Sequence, residues 1–404
     1  MVQKTETPMK TVFLYIDAMC FHYTEHMPFL NNLSKRSVTS NIQVEPLHQF
    51  EFSIFASQHQ KDLDMWAWFY RNPEKSHFKW LKPFAPIIKK IKSNKFRELI
   101  TYSSALLAYF RGETRFVKLL GMDIEKALQF APMAQRAFID QYPAKIKTLF
   151  DILREKNIQY TAYEWPLKTT NKTKGLNPFY RSDKAISNFI IKNIKNNQFV
   201  FAHTVELDSK MHALGVNHPK VIQHLKQIDN NIKNIYNELK KYNYNFIIAS
   251  DHGMVPITDT LDITKLLDKE YSFSDSTCIR IWTKDIKGTL NKIKTNKGKV
   301  FTKETMKNIP LTYNRDYTGD ILFVANPGVN ISPNDLDGKN IPKAMHGYLP
   351  TDKLDAFFLI KSSNPIKKTE TKMGLVDICP TILNSLNIKQ PKEWKGKSII
   401  QIHK

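Results

Sequence analysis

Six side chains of the metal-ligating type stand out by where they fall in the chain. Asp251 and His252, in the stretch Ser250-Asp251-His252-Gly253-Met254, follow directly behind the apolar run at 246–249 (FIIA). Asp17 closes the apolar run at 11–17 (TVFLYID), and Asp208 and His212 follow another at 199–205. Four residues apart, Asp208 and His212 share one face of a helical turn. His346 lies in the segment 343–348 that precedes the apolar run at 356–360. Carboxylate oxygen and imidazole nitrogen are both good donors to Zn²⁺. One such residue at a strand end is ordinarily a cap or turn residue, so the weight rests on the joint occurrence. Three Asp and three His suffice for two metal ions about 3.5–4 Å apart, the arrangement that clamps an in-line displacement at phosphorus. Both ions would neutralise charge that builds up in the transition state.

These residues need a scaffold that brings distant segments together. Strand-length apolar runs at 11–17, 159–163, 199–205, 245–250, 321–325 and 356–360 alternate with helical patterns at 146–155, 183–195, 219–241 and 376–386. That alternation predicts an α/β/α sandwich with a largely parallel central sheet covered on both faces. In open sheets of this kind ligands collect outside the carboxyl ends of the strands, where all six residues can converge. Two stretches break the rhythm. Residues 66–143, rich in aromatics, Lys and Arg, read as a helical cap insertion, and 258–317 as a second one. The core is then 1–65, 144–257 and 318–404.

Composition narrows the setting. The 404 residues carry 60 Lys+Arg against 38 Asp+Glu, a formal charge of +22, which suits an anionic, phosphorylated partner. Abundant Lys, Asn and Ile make part of that charge compositional, and no nucleic-acid reader motif is found. Three scattered cysteines argue against a disulfide framework. With no signal-peptide pattern and no bilayer-length apolar run, a cytoplasmic protein is expected. The basic, apolar stretch 80–110 reads first as a packed cap and second as a peripheral contact with a membrane surface.

The segments FLYID with MPFL, VELDSKMHALG, IIASDHGM, MHGY and VDICPTILNSLNI occur in the order found in the alkaline phosphatase superfamily. The chain resembles its type I phosphodiesterase/nucleotide pyrophosphatase branch. The phrase DSTCIRIW at 275–282 also resembles bacterial members. The resemblance implies two metal ions, usually zinc, with Mn²⁺ as the alternative. Asp208, His212 and His346 would hold one, and Asp17, Asp251 and His252 the other. It implies cleavage of a phosphate ester of a nucleotide, glycan or lipid headgroup through a covalent enzyme intermediate on a Ser or Thr. The departure is at that nucleophile. The region HQFEFSIFASQHQKDLDMW lacks the Thr-Gly and Pro-x-x-His-Gly turns of the branch. Ser53 is the expected nucleophile, with Glu51 and Ser57 as competitors. Arg280 and Lys343 are expected anion contacts, and the caps are expected to select the leaving group. Competing functions are a phosphomonoesterase or sulfatase-like hydrolase, although no Cys/Ser-x-Pro-x-Arg motif occurs near residue 50, and a non-catalytic anion-binding member.

Overall fold

The structure is a computed structural model that describes residues 9–48, 50–63, 66–76, 78–91, 93, 95–96, 99–100, 103–104, 107, 123–132, 146–164, 167–170, 174–176, 182–263, 267 and 271–402. Its centre is a nine-stranded sheet. The strands are β1 (Lys10–Ile16), β2 (Val38–Gln43), β3 (Tyr160–Glu164), β4 (Leu167–Thr170), β5 (Lys174–Leu176), β6 (Phe199–Thr204), β7 (Tyr244–Ala249), β8 (Ala356–Ser362) and β9 (Met373–Gly374). Their order is β9-β2-β8-β7-β1-β6-β3-β4-β5. The four middle strands run parallel, β1 lying between β6 and β7 and β3 beyond β6. Strand β8 is antiparallel to both neighbours, as is β4. The sheet is therefore mixed, with its expected parallel character concentrated in the middle.

Alternation along β1 shows how one strand joins two layers. Phe13 and Tyr15 face a layer that includes helices α2 (Glu51–Ala56) and α6 (Ile378–Ser385), with Phe13 6.1 Å from Phe55 between ring centroids. Val12, Leu14 and Ile16 face helices α3 (Asp183–Ile194) and α5 (Pro219–Leu239). Helix α5 starts with Pro219 at its first position, where no N–H is missed. It buries Val221, Leu225, Ile228, Ile232, Ile235 and Leu239 at helical spacing. Ile16 pairs with Thr204 and Tyr15 with Ala249. That register brings β1, β6 and β7 to an end at nearly the same level, so the residues after each emerge side by side.

A smaller antiparallel sheet orders Tyr271–Ser274, Cys278–Trp282, Ile321–Ala325 and Gly298–Thr302. The run 321–325, read from sequence as a core strand, thus belongs with the second insertion. The first insertion packs on the same sheet: Phe69, Phe78, Leu81, Ile124 and Phe130 share one cluster with Phe273 and Trp282. Its described residues form short pieces, namely Lys79–Phe84, Ala85–Ile88 and Ile124–Ala127, with Phe69–Arg71 paired to Phe130–Pro132. Of the helical pattern expected over 84–91, Ala85–Ile88 is α-helical, with Pro86 in its first turn, where a missing N–H costs nothing. Most of the pattern expected over 98–110 lies outside the described residues.

Candidate metal centre and cleft

The level strand ends bring all six ligand-type residues into one neighbourhood. Asp17 leaves β1, and the residue after it, Ala18, turns the chain at φ 62°. Asp251 and His252 leave β7. Asp208 and His212 lie on helix α4 (Glu206–Leu214), which begins two residues past β6. His346 sits beyond the short pairing of Val255 and Pro256 with Met345 and Ala344. His212 Nε2 is 3.2 Å from Asp208 Oδ1, and His346 Nε2 is 3.8 Å from the same oxygen. His252 Nε2 is 3.3 Å from Asp17 Oδ1 and 3.2 Å from Asp251 Oδ2. The His252 and His346 rings stack at 3.6 Å. Two ligand trios result, Asp208-His212-His346 and Asp17-Asp208-His252, each with its donor atoms within 4.8 Å of one another.

The backbone has already set two of these imidazoles for metal. His212 Nδ1 donates to Ala344 O at 2.8 Å and His252 Nδ1 to Gly253 O at 3.0 Å. Each Nε2 is thereby turned towards the carboxylates of the cluster, the orientation that outer hydrogen bonds give to ligating histidines. Asp17 Oδ1, Asp208 Oδ1 and His346 Nδ1 are buried without a hydrogen bond among the described residues. Carboxylates and imidazoles crowded in this way fit divalent cations of the Zn²⁺ or Mn²⁺ type.

The electrostatics record the same crowding. Burial raises the Asp17 carboxyl, but the close approach of the His203 and His252 rings outweighs it and holds the group well below the usual carboxylate range. Asp251, with burial and the neighbouring Asp17 acting together, is pushed up to about 7. Burial lowers His252, yet Asp251 and Asp17 overcome it and bring the ring up to about 10. His346 lies well below its ordinary value, first through burial and then through His252 and His212.

Beside the cluster opens a cleft of about 650 Å³, lined by Asp208, His212 and His346 together with His48, Trp68 and Lys343. Lys343 is exposed there, while its backbone N–H is bonded to His212 O at 2.7 Å. Arg280 does not reach the cleft. It is wholly buried, donates to Phe69 O and Tyr317 O, and stacks 4.5 Å from the Phe273 ring centroid. The sequence shows the cation but not that the cap folds over it. Ser53 is also drawn elsewhere: its hydroxyl donates to Glu45, which binds His59 at 2.7 Å and the Gln60 N–H at 3.0 Å. Ser57 is occupied by Val376 O at 2.7 Å. Glu51 begins α2 and lies close enough to Asp251 to raise its carboxyl further.

Two residues of the site were missed in the sequence. His203 stacks on Tyr15 at 4.1 Å and brings Nε2 to 3.4 Å from Asp17 Oδ2. It lies inside strand β6, not at its end, and only the parallel register with β1 puts it opposite Tyr15. His48 lies in a segment with no ligand spacing. A third acidic group, Asp183, Glu206 and His224, ties helices together: Glu206 accepts the Asp183 N–H at 2.8 Å, and His224 meets Asp183 at 3.0 Å.

Comparison with known proteins agrees with this geometry. The family model described as type I phosphodiesterase/nucleotide pyrophosphatase matches residues 147–349, half of the chain. No curated protein matches in sequence. Among solved structures, human ectonucleotide pyrophosphatase/phosphodiesterase 5 superposes with a TM-score of 0.65 at 16% identity, over 95% of this chain and 96% of that one. The murine protein of the same name gives a TM-score of 0.60 at 15% identity with the same coverage. An inactive form of the murine protein in complex with AMP gives the same values. At such identities these structures speak for the fold. The family match, together with the strand-end ligands it spans, shows that the chain belongs to the type I phosphodiesterase/nucleotide pyrophosphatase family and is a metal-dependent phosphodiester hydrolase.

Proposed function

We propose that Asp17, Asp208, His212, Asp251, His252 and His346 hold two divalent cations, Zn²⁺ first and Mn²⁺ second, and that the protein cleaves a phosphodiester or pyrophosphate bond in line. The observation carrying this reading is the pair of inward-facing Nε2 atoms of His212 and His252, each ring fixed by a backbone carbonyl at Nδ1. When bound, the cations supply Lewis-acid polarisation of the phosphoryl group and a counter-charge for the transition state. The chain's own residues do the rest. Asp17 and Asp251 bring negative charge under the cluster, His203 orients Asp17, and Lys343 at the cleft rim attracts the anion. Trp68 and the packed caps shape the space for the leaving group.

A nucleotide-type diester is the first substrate class, supported by the family and by the AMP held in the murine relative; glycan and lipid-headgroup esters come next. The domain division into a core and two cap insertions is part of this reading, with the caps selecting the leaving group. Three buried, unpaired cysteines suit a reducing, cytoplasmic setting. Among the described residues no helix is long and apolar enough to cross a membrane. Phe84 and Ile87, 51% and 64% exposed, beside the exposed Lys82, Lys89 and Lys90, support a peripheral membrane contact.

The central test compares bis- and mono-p-nitrophenyl phosphate with protein loaded with Zn²⁺ or Mn²⁺. The diester is preferred and Asp251→Ala loses the activity. Preference for the monoester would sink the diesterase reading, and less than one equivalent of metal at saturation would sink the two-cation site.

A further inference from the structure

The metal-ligating residues leave one part of the reaction without an owner, the group that attacks. From Val44 to Phe52 no side chain carries a hydroxyl, and the next residue, Ser53, is committed to Glu45. Yet this loop runs along the ligand cluster. Phe50 packs 5.3 Å from His252 and 6.4 Å from His346 between ring centroids. His48 lines the cleft with Asp208 and His212, its ring centroid 5.4 Å from that of His346.

The imidazole of His48 is held in one orientation by the second insertion. Asp275 accepts the backbone N–H groups of Thr277 and Cys278, both at 2.8 Å, and the Thr277 hydroxyl at 3.1 Å. Burial raises its carboxyl, but the contact with His48 and these backbone bonds hold it well below the usual range. An ionised carboxylate only accepts, so the Thr277 hydroxyl donates to it and is left to accept from His48 Nε2 at 3.4 Å. Nε2 therefore carries the proton and Nδ1 the lone pair, the division of roles that a carboxylate-oriented histidine has in nucleophilic sites. Nδ1 is buried and has no hydrogen-bond partner among the described residues. An idle buried lone pair is costly and calls for a reason. The neighbourhood is built around this ring. Leu47, just before it, is held at φ 67°, and a Cβ on Gly347 (φ +81°) would lie 2.1 Å from His48 Cε1.

We propose that His48 is the nucleophile, its Nδ1 attacking the phosphorus of the bound diester. The inference rests on the phosphodiesterase reading above. In the first step the Nδ1–P bond forms and the P–O bond to the leaving group breaks. The electron pair departs with that oxygen, which takes a proton from water. In the second step water attacks phosphorus and the P–N bond breaks. Its pair returns to Nδ1 and the surplus proton goes to solvent. Because the nitrogen is covered in the substrate-free structure, the ring turns toward the cleft as substrate enters. The Asp275-Thr277 pair, supplied by the segment DSTCIRIW, orients the ring; these two are positioning residues.

Linkage chemistry tests this. Zn²⁺-loaded protein is mixed with bis-p-nitrophenyl phosphate and denatured in alkali during turnover, and the adduct is mapped by mass spectrometry. A phosphoramidate on His48 survives alkali and is lost in acid. His48→Gln forms no adduct and turns over roughly 10³-fold more slowly or worse, with its metal content and circular dichroism unchanged. If that variant misfolds, adduct mapping on the wild-type protein still decides. An acid-stable ester on Ser53, a hydroxylamine-labile acyl phosphate on Glu51, turnover without any adduct, or His48→Gln within tenfold of wild type would each overturn the proposal while leaving the diesterase reading intact. A wild-type protein with no turnover at all would remove both.

Discussion

Replacing Gly347 by Ala probes the turn that seats His346 against His48. Two costs arise. The residue sits at φ +81°, where a side chain brings a penalty of about 1–2 kcal/mol. The added Cβ would also stand 2.1 Å from His48 Cε1 and 2.7 Å from each ring nitrogen. The His48 ring can escape the added Cβ only by leaving its contact with Thr277, and overpacking of this kind costs about 1–3 kcal/mol. The single variant is therefore destabilised by about 2–5 kcal/mol in total. The two parts separate in a double-mutant cycle. In a His48→Ala background the clash vanishes and only the backbone penalty of about 1–2 kcal/mol remains, so the coupling equals the overpacking part. Urea unfolding of metal-free wild-type, single and double variants, followed by tryptophan fluorescence, measures the cycle. If Gly347→Ala has the same effect in both backgrounds, within about 0.5 kcal/mol, the ring is not where the structure puts it, and the reasoning about His48 falls with it.

Other expectations follow from the same geometry. Chelation abolishes diester hydrolysis and lowers the melting temperature, and re-addition of Zn²⁺ or Mn²⁺ restores both; at a hundredfold excess over Kd each site contributes about 2.7 kcal/mol, so an unshifted melting curve would contradict a metal centre. Lys343→Ala raises KM for an anionic diester several-fold with little change in kcat, and loses this effect at high salt; a pure kcat defect would refute a rim role. Arg280→Met removes the donor shared by Phe69 O and Tyr317 O and destabilises the protein by about 1–3 kcal/mol for each carbonyl left unpaired, a loss seen in urea midpoints and not in KM. Asp355 is pushed up to about 6, first by burial and then by Asp352. Its folded-state value exceeds the unfolded one, so its ionisation disfavours folding, and that penalty is full above about 6 and fades as pH falls towards the unfolded value of 3.8. Asp355→Asn is thus more stable than wild type at pH 7.5 and equal to it near pH 4, which melting curves across pH would show.

By itself the sequence determined the pieces whose signal is local. Strands β1, β6, β7 and β8 are apolar runs buried on both faces, and Asp17, Asp208, Asp251 and His252 stand at the ends of such runs or just beyond. Chain direction and sheet chemistry then require them at one edge. The pairing of His212 with Asp208 is legible because helical periodicity joins residues four apart. What only the tertiary structure decided depends on contacts between segments far apart in the chain. His203 becomes a partner of Asp17 through the register of two parallel strands. Arg280 and Lys343 look alike in sequence, yet the aromatic cap closes over the first and leaves the second at the cleft. Ser53 begins a buried helical turn as its pattern suggests, but Glu45 claims its hydroxyl, a choice that needs the loop's three-dimensional path. His48 carries no motif at all. Its place beside His346 comes from Asp275 and Thr277, 227 and 229 residues later, and from a glycine whose missing Cβ leaves room for the ring.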